Sequence, residues 1–414
     1  MFIIACASKN LRPDFPKGFF SSRTSILVLS LMASSFVSLV FSTNAVVSLK
    51  AVLVQVVYIC IYYFTVSSSI FGDPRIVWKR AFLMYGGSFL PVMFFAMAMQ
   101  ATLGFDRAGS NRSAFPFFTD HTMYSAALTF VLLAFIFQMI AAFGAKPVNG
   151  RRISFVLLSV ICALALFLGY CRAAWLAFGA IVLIGSLLWL RSWKVVAVAL
   201  IAAGTLALML FGRAGASLPN ASANGAGIKE MFLSMANTHT DPSNMERLDR
   251  WHGALLMAME RPFTGFGPGT FQFSYRSALN NGPSNTLSTG GPMNPDYITR
   301  DWSVGNSVMV RSNPQVLFKN GGTAHSEYLL ALSEMGFPGA MAFTLLVAAT
   351  IYSGIRLMRK KSNARGIEAM ALAALTAYAI HGVFNNFLDD AKVAFLFWGC
   401  VSIIGSAQRK ATDC

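Results

Sequence analysis

Ten stretches of mostly apolar side chains, each near the length that crosses a bilayer, recur at approximately 24–42, 45–64, 81–101, 122–144, 153–170, 173–190, 193–211, 338–357, 368–386 and 391–407. A hydrocarbon core admits only segments that satisfy their own backbone hydrogen bonds, so runs of about 20 such residues cross it as helices. Charged residues are 12% of the chain, against roughly 25% in a soluble domain, and 36 Phe and 20 Met add bulk that a soluble core could not hide. The pattern predicts an all-α polytopic membrane protein with about ten transmembrane helices. Residues 1–211 form an N-terminal bundle of about seven spans, 212–337 one large polar loop containing short helices, and 338–414 three further spans with a tail. The first apolar run is longer than a signal-peptide core and no small-x-small cleavage pattern follows it, so it is expected to be a retained span. No internal repeat or second soluble domain is visible.

The basic residues orient this bundle. The formal net charge is +16, and nineteen of the 33 Lys and Arg fall in one alternating set of short loops. The largest groups there are Lys9, Arg12, Lys17 and Arg23 at the start, and Arg356, Arg359, Lys360, Lys361 and Arg365 before the ninth span. The opposite short connections hold only Lys50, Arg107, Arg112, Arg172 and Lys392. Cytoplasmic loops carry the excess of Lys and Arg, so both termini are expected in the cytoplasm and the 212–337 loop outside. The loop itself balances nine basic against nine acidic residues through position 337. The positive charge thus reads as membrane orientation, not as a nucleic-acid surface. The six cysteines (6, 60, 162, 171, 400 and 414) all avoid the long loop, which argues against a disulfide framework or a metal cluster. Asp and Glu are missing from the middle of all ten segments, unlike ion-coupled carriers, so any chemistry is expected on the outer face. His381, Asn385 and Asn386 are polar exceptions near the outer end of the ninth segment.

Four patterns on that face are candidates. Arg172 occupies a very short outward turn, Gly169-Tyr170-Cys171-Arg172. Snorkelling to lipid headgroups is the plain explanation of such a residue, and bidentate binding of a phosphate or pyrophosphate the chemical one. In the stretch from Asp241, Ser243 and Glu246 have the capping-box spacing of a helix start, and Pro262 limits the far end. Met245, Leu248, Trp251, Leu255 and Met259 recur at helical spacing as an apolar stripe. Arg247 and Arg250 share a face as a paired anion clamp or, alternatively, as partners of Glu246 and Asp249. Gly265-Phe266-Gly267-Pro268-Gly269 has the alternating glycines of a phosphate cradle. However, no strand precedes it and no Lys-Ser/Thr follows, so a tight structural turn is the better reading. Last, a short helix is expected from Ser326, closed by Gly336 and Pro338 and leading into the eighth span. It places His325 at a helix N-terminus, where the dipole favours the neutral imidazole that a general base needs.

Together these pieces resemble the bacterial O-antigen ligase and polymerase family over roughly residues 150–400. The shared features are many spans, one large late loop and an Arg-bearing turn upstream of it. The shared motifs are Arg247-x-x-x-Trp251, Arg261-Pro-x-x-Gly-x-Gly-Pro-Gly269, and His325-x-x-Tyr328-Leu329 with Glu334 and Gly336. Two departures stand out: Ser326 follows the histidine where the family often has Asn, and ten spans are counted where such ligases tend to have about twelve. The resemblance implies metal-independent, cofactor-free glycan transfer at the periplasmic face of the bacterial inner membrane. The implied donor is a glycan on undecaprenyl pyrophosphate, and the acceptor is lipid A-core or a growing glycan. It gives His325 the role of base with Glu327 orienting it, and gives Arg172, Arg247 and Arg250 the pyrophosphate. Arg261, Arg300 and Arg311 are further substrate contacts. Asp389-Asp390 suits a loop cap better than a sugar or metal site. A flippase or carrier for the lipid-linked glycan is the reading from another class, and it would need cations along the spans, which are nearly bare of them. The topology predicts that a cysteine at Ser284 is labelled by an impermeant thiol reagent on intact spheroplasts. Labelling only after the membrane is permeabilised would reverse the orientation.

Overall fold

The computed structural model describes residues 14–105, 107–143, 150–190, 242–275, 322–359 and 366–412. Among these, the regular elements are all helical: α1 (Arg23–Val40), α2 (Ala45–Tyr58), α3 (Pro74–Thr102), α4 (Arg107–Ser113), α5 (His121–Phe143), α6 (Gly150–Leu168), α7 (Arg172–Leu190), α8 (Pro242–Glu260), α9 (Glu327–Arg359), α10 (Ile367–His381) and α11 (Ala391–Thr412). Among the described residues, six helices are long and apolar enough to cross a membrane, and α6, α7 and α10 contain shorter apolar stretches. Nine of the ten expected segments therefore fall on helices, and the tenth, 193–211, lies outside the described residues.

Local chemistry sets the helix starts. Ser22, Asn44 and Asp73 accept the backbone N–H groups of Ser25, Val47 and Arg75 at 3.3, 3.3 and 3.1 Å, capping α1, α2 and α3. Asp120 does the same for α5, accepting Thr122 N at 2.6 Å. α2 runs on as a π-helical segment, Ile59–Thr65, where the Thr65 hydroxyl donates to the Cys60 carbonyl at 2.7 Å. α5 is the central helix, buried through most of its length and packed by α3, α6 and α10. α9 lies along α1, and α11 packs on α10. Val40, Val46 and Met84 are among the apolar side chains left exposed, as expected of a surface that faces lipid.

A smaller second core sits at one end of the bundle. It joins Ala254 and Met257 of α8 to Phe266, Phe271, Tyr275 and Ala324, with Leu329 and Leu330 of α9 against it. This corrects the expected stripe on α8. Leu255 and Met259 are 40% and 67% exposed, and the buried face instead follows Arg250, Ala254 and Met257.

The glycine loop is a structural dock. The Glu334 carboxylate of α9 accepts Gly269 N at 2.8 Å and Phe271 N at 3.0 Å, and the Glu334 carbonyl accepts Gly267 N at 2.9 Å. The backbone donors a phosphate would need are thus already bound to an acid. α9 itself kinks at Gly336 (φ 67°), where Phe337 N donates to the Pro262 carbonyl at 2.6 Å. A Cβ on Gly336 would lie 2.7 Å from the Phe263 carbonyl carbon, and one on Gly265 (φ +63°) would lie 2.2 Å from the Glu334 oxygen. Pro338 falls in the first turn after the kink, where a missing N–H leaves nothing unsatisfied. Gly265→Ala and Gly336→Ala are each expected to destabilise the purified protein by about 2–4 kcal/mol, from left-handed strain plus the backbone clash. Gly87→Ala in α3, where a Cβ meets nothing, is expected to be neutral or mildly stabilising. Thermal unfolding of the three variants side by side checks this.

Candidate functional site

The second core brings α8 against the segment that precedes α9. Arg250 is buried, and its guanidinium bridges two elements: Nη2 donates to Glu246 Oε1 at 2.6 Å, and Nη1 donates to the Thr323 carbonyl at 2.8 Å. The next residue, Trp251, donates from Nε1 to the His325 carbonyl at 3.3 Å. Two adjacent residues of α8 therefore hold the backbone on both sides of Ala324. Ser326 begins α9, its hydroxyl accepting Leu329 N at 3.4 Å. His325 stands just before that cap in a left-handed conformation, φ 48°, which is rare for a residue with a side chain and concentrates at functional sites.

The imidazole of His325 is held neutral. Burial pushes its pKa down to about 4, the Arg250 and Arg247 charges push the same way, and Glu246 and Asp120 oppose them. Desolvation is the main cause and the Arg250 charge the next, where the sequence reading invokes the helix dipole. Asp120 is kept ionised on the neighbouring α5 cap. Partial burial works against its charge, but the contact with His121 Nδ1 at 3.1 Å and the Thr122 amide outweigh it and hold the carboxyl well below the usual range.

The predicted residues separate into three groups. Arg247, Arg250 and His325 come together, and the field of Arg247 also reaches Cys171 in the turn before Arg172, which opens α7. The turn before Arg172 is shaped by Tyr170 (φ 49°), whose hydroxyl donates to the Phe105 carbonyl at 2.6 Å. Glu327 points elsewhere. Its Oε1 accepts the Tyr378 hydroxyl at 2.6 Å and the Phe387 and Leu388 amides at 2.7 and 3.1 Å, so it ties α9 to the turn after α10 instead of to His325. Arg261 is likewise apart, donating to the Phe41 carbonyl at 3.2 Å and lying over the Phe266 ring. Arg300 and Arg311 lie outside the described residues. Asp390 is a helix cap, as expected, accepting Lys392 N at 2.8 Å.

Two neighbours were not picked out from the sequence as site residues. Asp120 is not singled out there at all, and only the fold carries its charge to His325. Glu246 was read as a salt-bridge partner, and it does pair with Arg250. His381, noted as a polar exception, lies in the same field of Arg247 and Asp120, 3.1 Å from Asn385.

Apolar helices with a cationic and imidazole site at one end define a multi-pass membrane protein with polar chemistry at its surface. Residues 157–293 match the family model described as O-antigen ligase, which supports a function of the O-antigen ligase or polymerase type. The matched stretch carries Arg172, Arg247, Arg250 and Arg261, and His325 lies beyond its end. No curated protein matches the chain.

Because folded His325 binds its proton only near pH 4, whereas an unfolded histidine does so near about 6.5, the unfolded state holds more protons between those values. Stability is therefore fully present above about pH 6.5 and lost as the pH falls towards 4. His325→Gln should flatten that part of the profile of unfolding temperature. Arg250→Ala, which strands Thr323 O and Glu246, should cost about 2–3 kcal/mol at neutral pH.

Proposed function

We propose that the chain transfers a glycan from undecaprenyl pyrophosphate to an acceptor sugar hydroxyl at the periplasmic face of the bacterial inner membrane, as an O-antigen ligase. The observation that carries this reading is the clasp between α8 and the residues before α9, which presents a neutral, desolvated imidazole beside two guanidinium groups. The acceptor oxygen attacks the anomeric carbon of the donor sugar as the bond from that carbon to the phosphate oxygen breaks. The electron pair leaves on the diphosphate, and the acceptor proton goes to His325. Arg247 and Arg172 face the growing negative charge. Arg250, held by Glu246 and Thr323, acts from behind on His325. Guanidinium groups neutralise the leaving group in this scheme, so neither metal nor nucleotide is required.

A base of pKa about 4 is weak, and the donor itself would correct this. A diphosphate docked against Arg247 adds negative charge near His325 and offsets the arginines that depress it, which raises the imidazole towards the working pH. Donor binding and base strength are thereby coupled. Glu327 is assigned to holding the turn after α10, and Arg261 to holding the loop.

His325→Ala should lose at least about 100-fold in transfer while the protein still reaches the membrane. Arg172→Lys should be strongly impaired, because a point charge does not reproduce a bidentate fork. The acid limb of kcat should lie at higher pH than that of kcat/KM, as coupling to the donor requires; coincident limbs would remove the coupling. In cells lacking the gene, a surface-glycan gel should show polymer retained on its lipid carrier and absent from the core. Single repeats on the core would assign a polymerase instead.

A further inference from the structure

α3 and α5 are both long and apolar enough to cross a membrane, so the connection between them, described at residues 103–105 and 107–120, runs at the membrane surface. It lies at the end of the bundle that carries the site, because Asp120 at its far end acts on His325. Its side chains divide by face. Ser110, Ser113 and Ala114 are buried, and Phe118 packs inward on Phe89 and Tyr124 at 5.7 and 5.8 Å between ring centres. Phe105, Phe115 and Phe117 are left outside, 45%, 64% and 45% exposed, together with Arg112 in the last turn of α4.

What covers these rings follows from their continuity with α3. The Phe117 ring meets the Phe95 ring edge-on at 5.5 Å, and Phe95, Phe94 and Met84 are exposed apolar side chains of a membrane-length helix. The lipid-facing surface of the span therefore continues onto the connection. Interfacial elements bury Trp, Phe and Leu at the boundary of acyl chains and headgroups and keep their cations among the phosphates. The exposed Arg112 guanidinium supplies that cation.

The same connection is tied to the turn that carries Arg172. The Tyr170 hydroxyl donates to the Phe105 carbonyl at 2.6 Å, and Gln100 Nε2 donates to the Leu168 carbonyl at 2.8 Å, one bond on each side of Gly169. Phe105 and Tyr170 are both left-handed, with φ of 56° and 49°. Bulky residues keep that conformation only where their surroundings enforce it. Two strained residues thus hold each other, and whatever seats Phe105 also constrains the backbone before Arg172.

We propose that the connection between α3 and α5 is an interfacial anchor. Phe105, Phe115 and Phe117 sit where the acyl chains of bilayer phospholipid meet the headgroups, Arg112 binds lipid phosphate, and the seated anchor fixes the Arg172 turn through the Tyr170–Phe105 bond. Calling Arg172 a pyrophosphate ligand rests on the transferase reading; the anchor and its hold on the turn do not.

The test uses the full chain in nanodiscs of phosphatidylethanolamine and phosphatidylglycerol, with two photoreactive phosphatidylglycerols. One carries its diazirine beside the glycerol backbone and the other at the acyl terminus. The first probe should label a peptide from 103–119, and the second should label it at least fivefold less while still labelling α3. Phe115→Ser combined with Phe117→Ser should reduce labelling by the first probe at least fivefold, and Arg112→Glu at least twofold. No labelling of this peptide in the parent, or labelling indifferent to these variants, overturns the proposal. A benzoylphenylalanine at position 115 that crosslinks to a second chain instead of to lipid gives the face to a protein partner and also overturns it. The hold on the turn is read by hydrogen exchange in peptides covering 167–175. The doubly substituted serine chain should exchange there at least threefold faster than the parent, Tyr170→Phe should do the same, and the two combined should add nothing further. Additive effects, or a turn indifferent to the anchor, overturn the proposal. If the serine chain fails to fold, Arg112→Glu takes its place in both measurements on the same terms. The transferase reading fails separately: full activity in His325→Ala would sink it and leave the labelling and the exchange as they stand.

Discussion

A single buried carboxylate, Glu334, organises the end of the bundle that carries the site. Buried carboxylates are costly unless several donors satisfy them, and here two backbone N–H groups from the glycine loop do so. That bond set holds the loop to α9, the loop holds the C-terminal end of α8, and α8 then places Arg250 and Trp251 against the backbone around His325. The chemistry sits two elements away from the acid that supports it. Gly265 and Gly336 are needed for the same reason, since only a residue without a Cβ lets the two backbones approach so closely.

Charge is distributed with a matching logic. The spans hold few ionisable groups, and the acids that lie within α9 are bonded to backbone amides and a tyrosine hydroxyl instead of to cations. Arg247 and Arg250 of α8 both act on the His325 imidazole, and Arg247 also acts on Cys171 in the turn before Arg172.

Much of this was legible in the residues. Helix positions follow from apolar runs, because the bilayer tolerates nothing else there, and α8 ends at Glu260, just ahead of Pro262 as read, although it already includes Ser243, which was read as its cap. The histidine was singled out by its place ahead of α9, and the glycine loop read correctly as a turn. Glu327 is the instructive contrast. Two residues from His325 in sequence, it was read as its partner, yet a helix start turns neighbouring side chains in different directions, and Glu327 found three donors near α10. The exposed Leu255 and Met259 make the same point, since periodicity names two faces of a helix without saying which is covered.

What the sequence by itself determined was the helical class and the succession of apolar segments, because length, hydropathy and capping act locally along the chain. What only the tertiary structure decided was the company each residue keeps. Asp120 joins His325 across some two hundred positions, Arg250 is shared between Glu246 and Thr323, and Asn386 opens into a cavity walled by α2. Such contacts depend on which backbone donors are left over once the helices pack, and that remainder exists only in the folded chain.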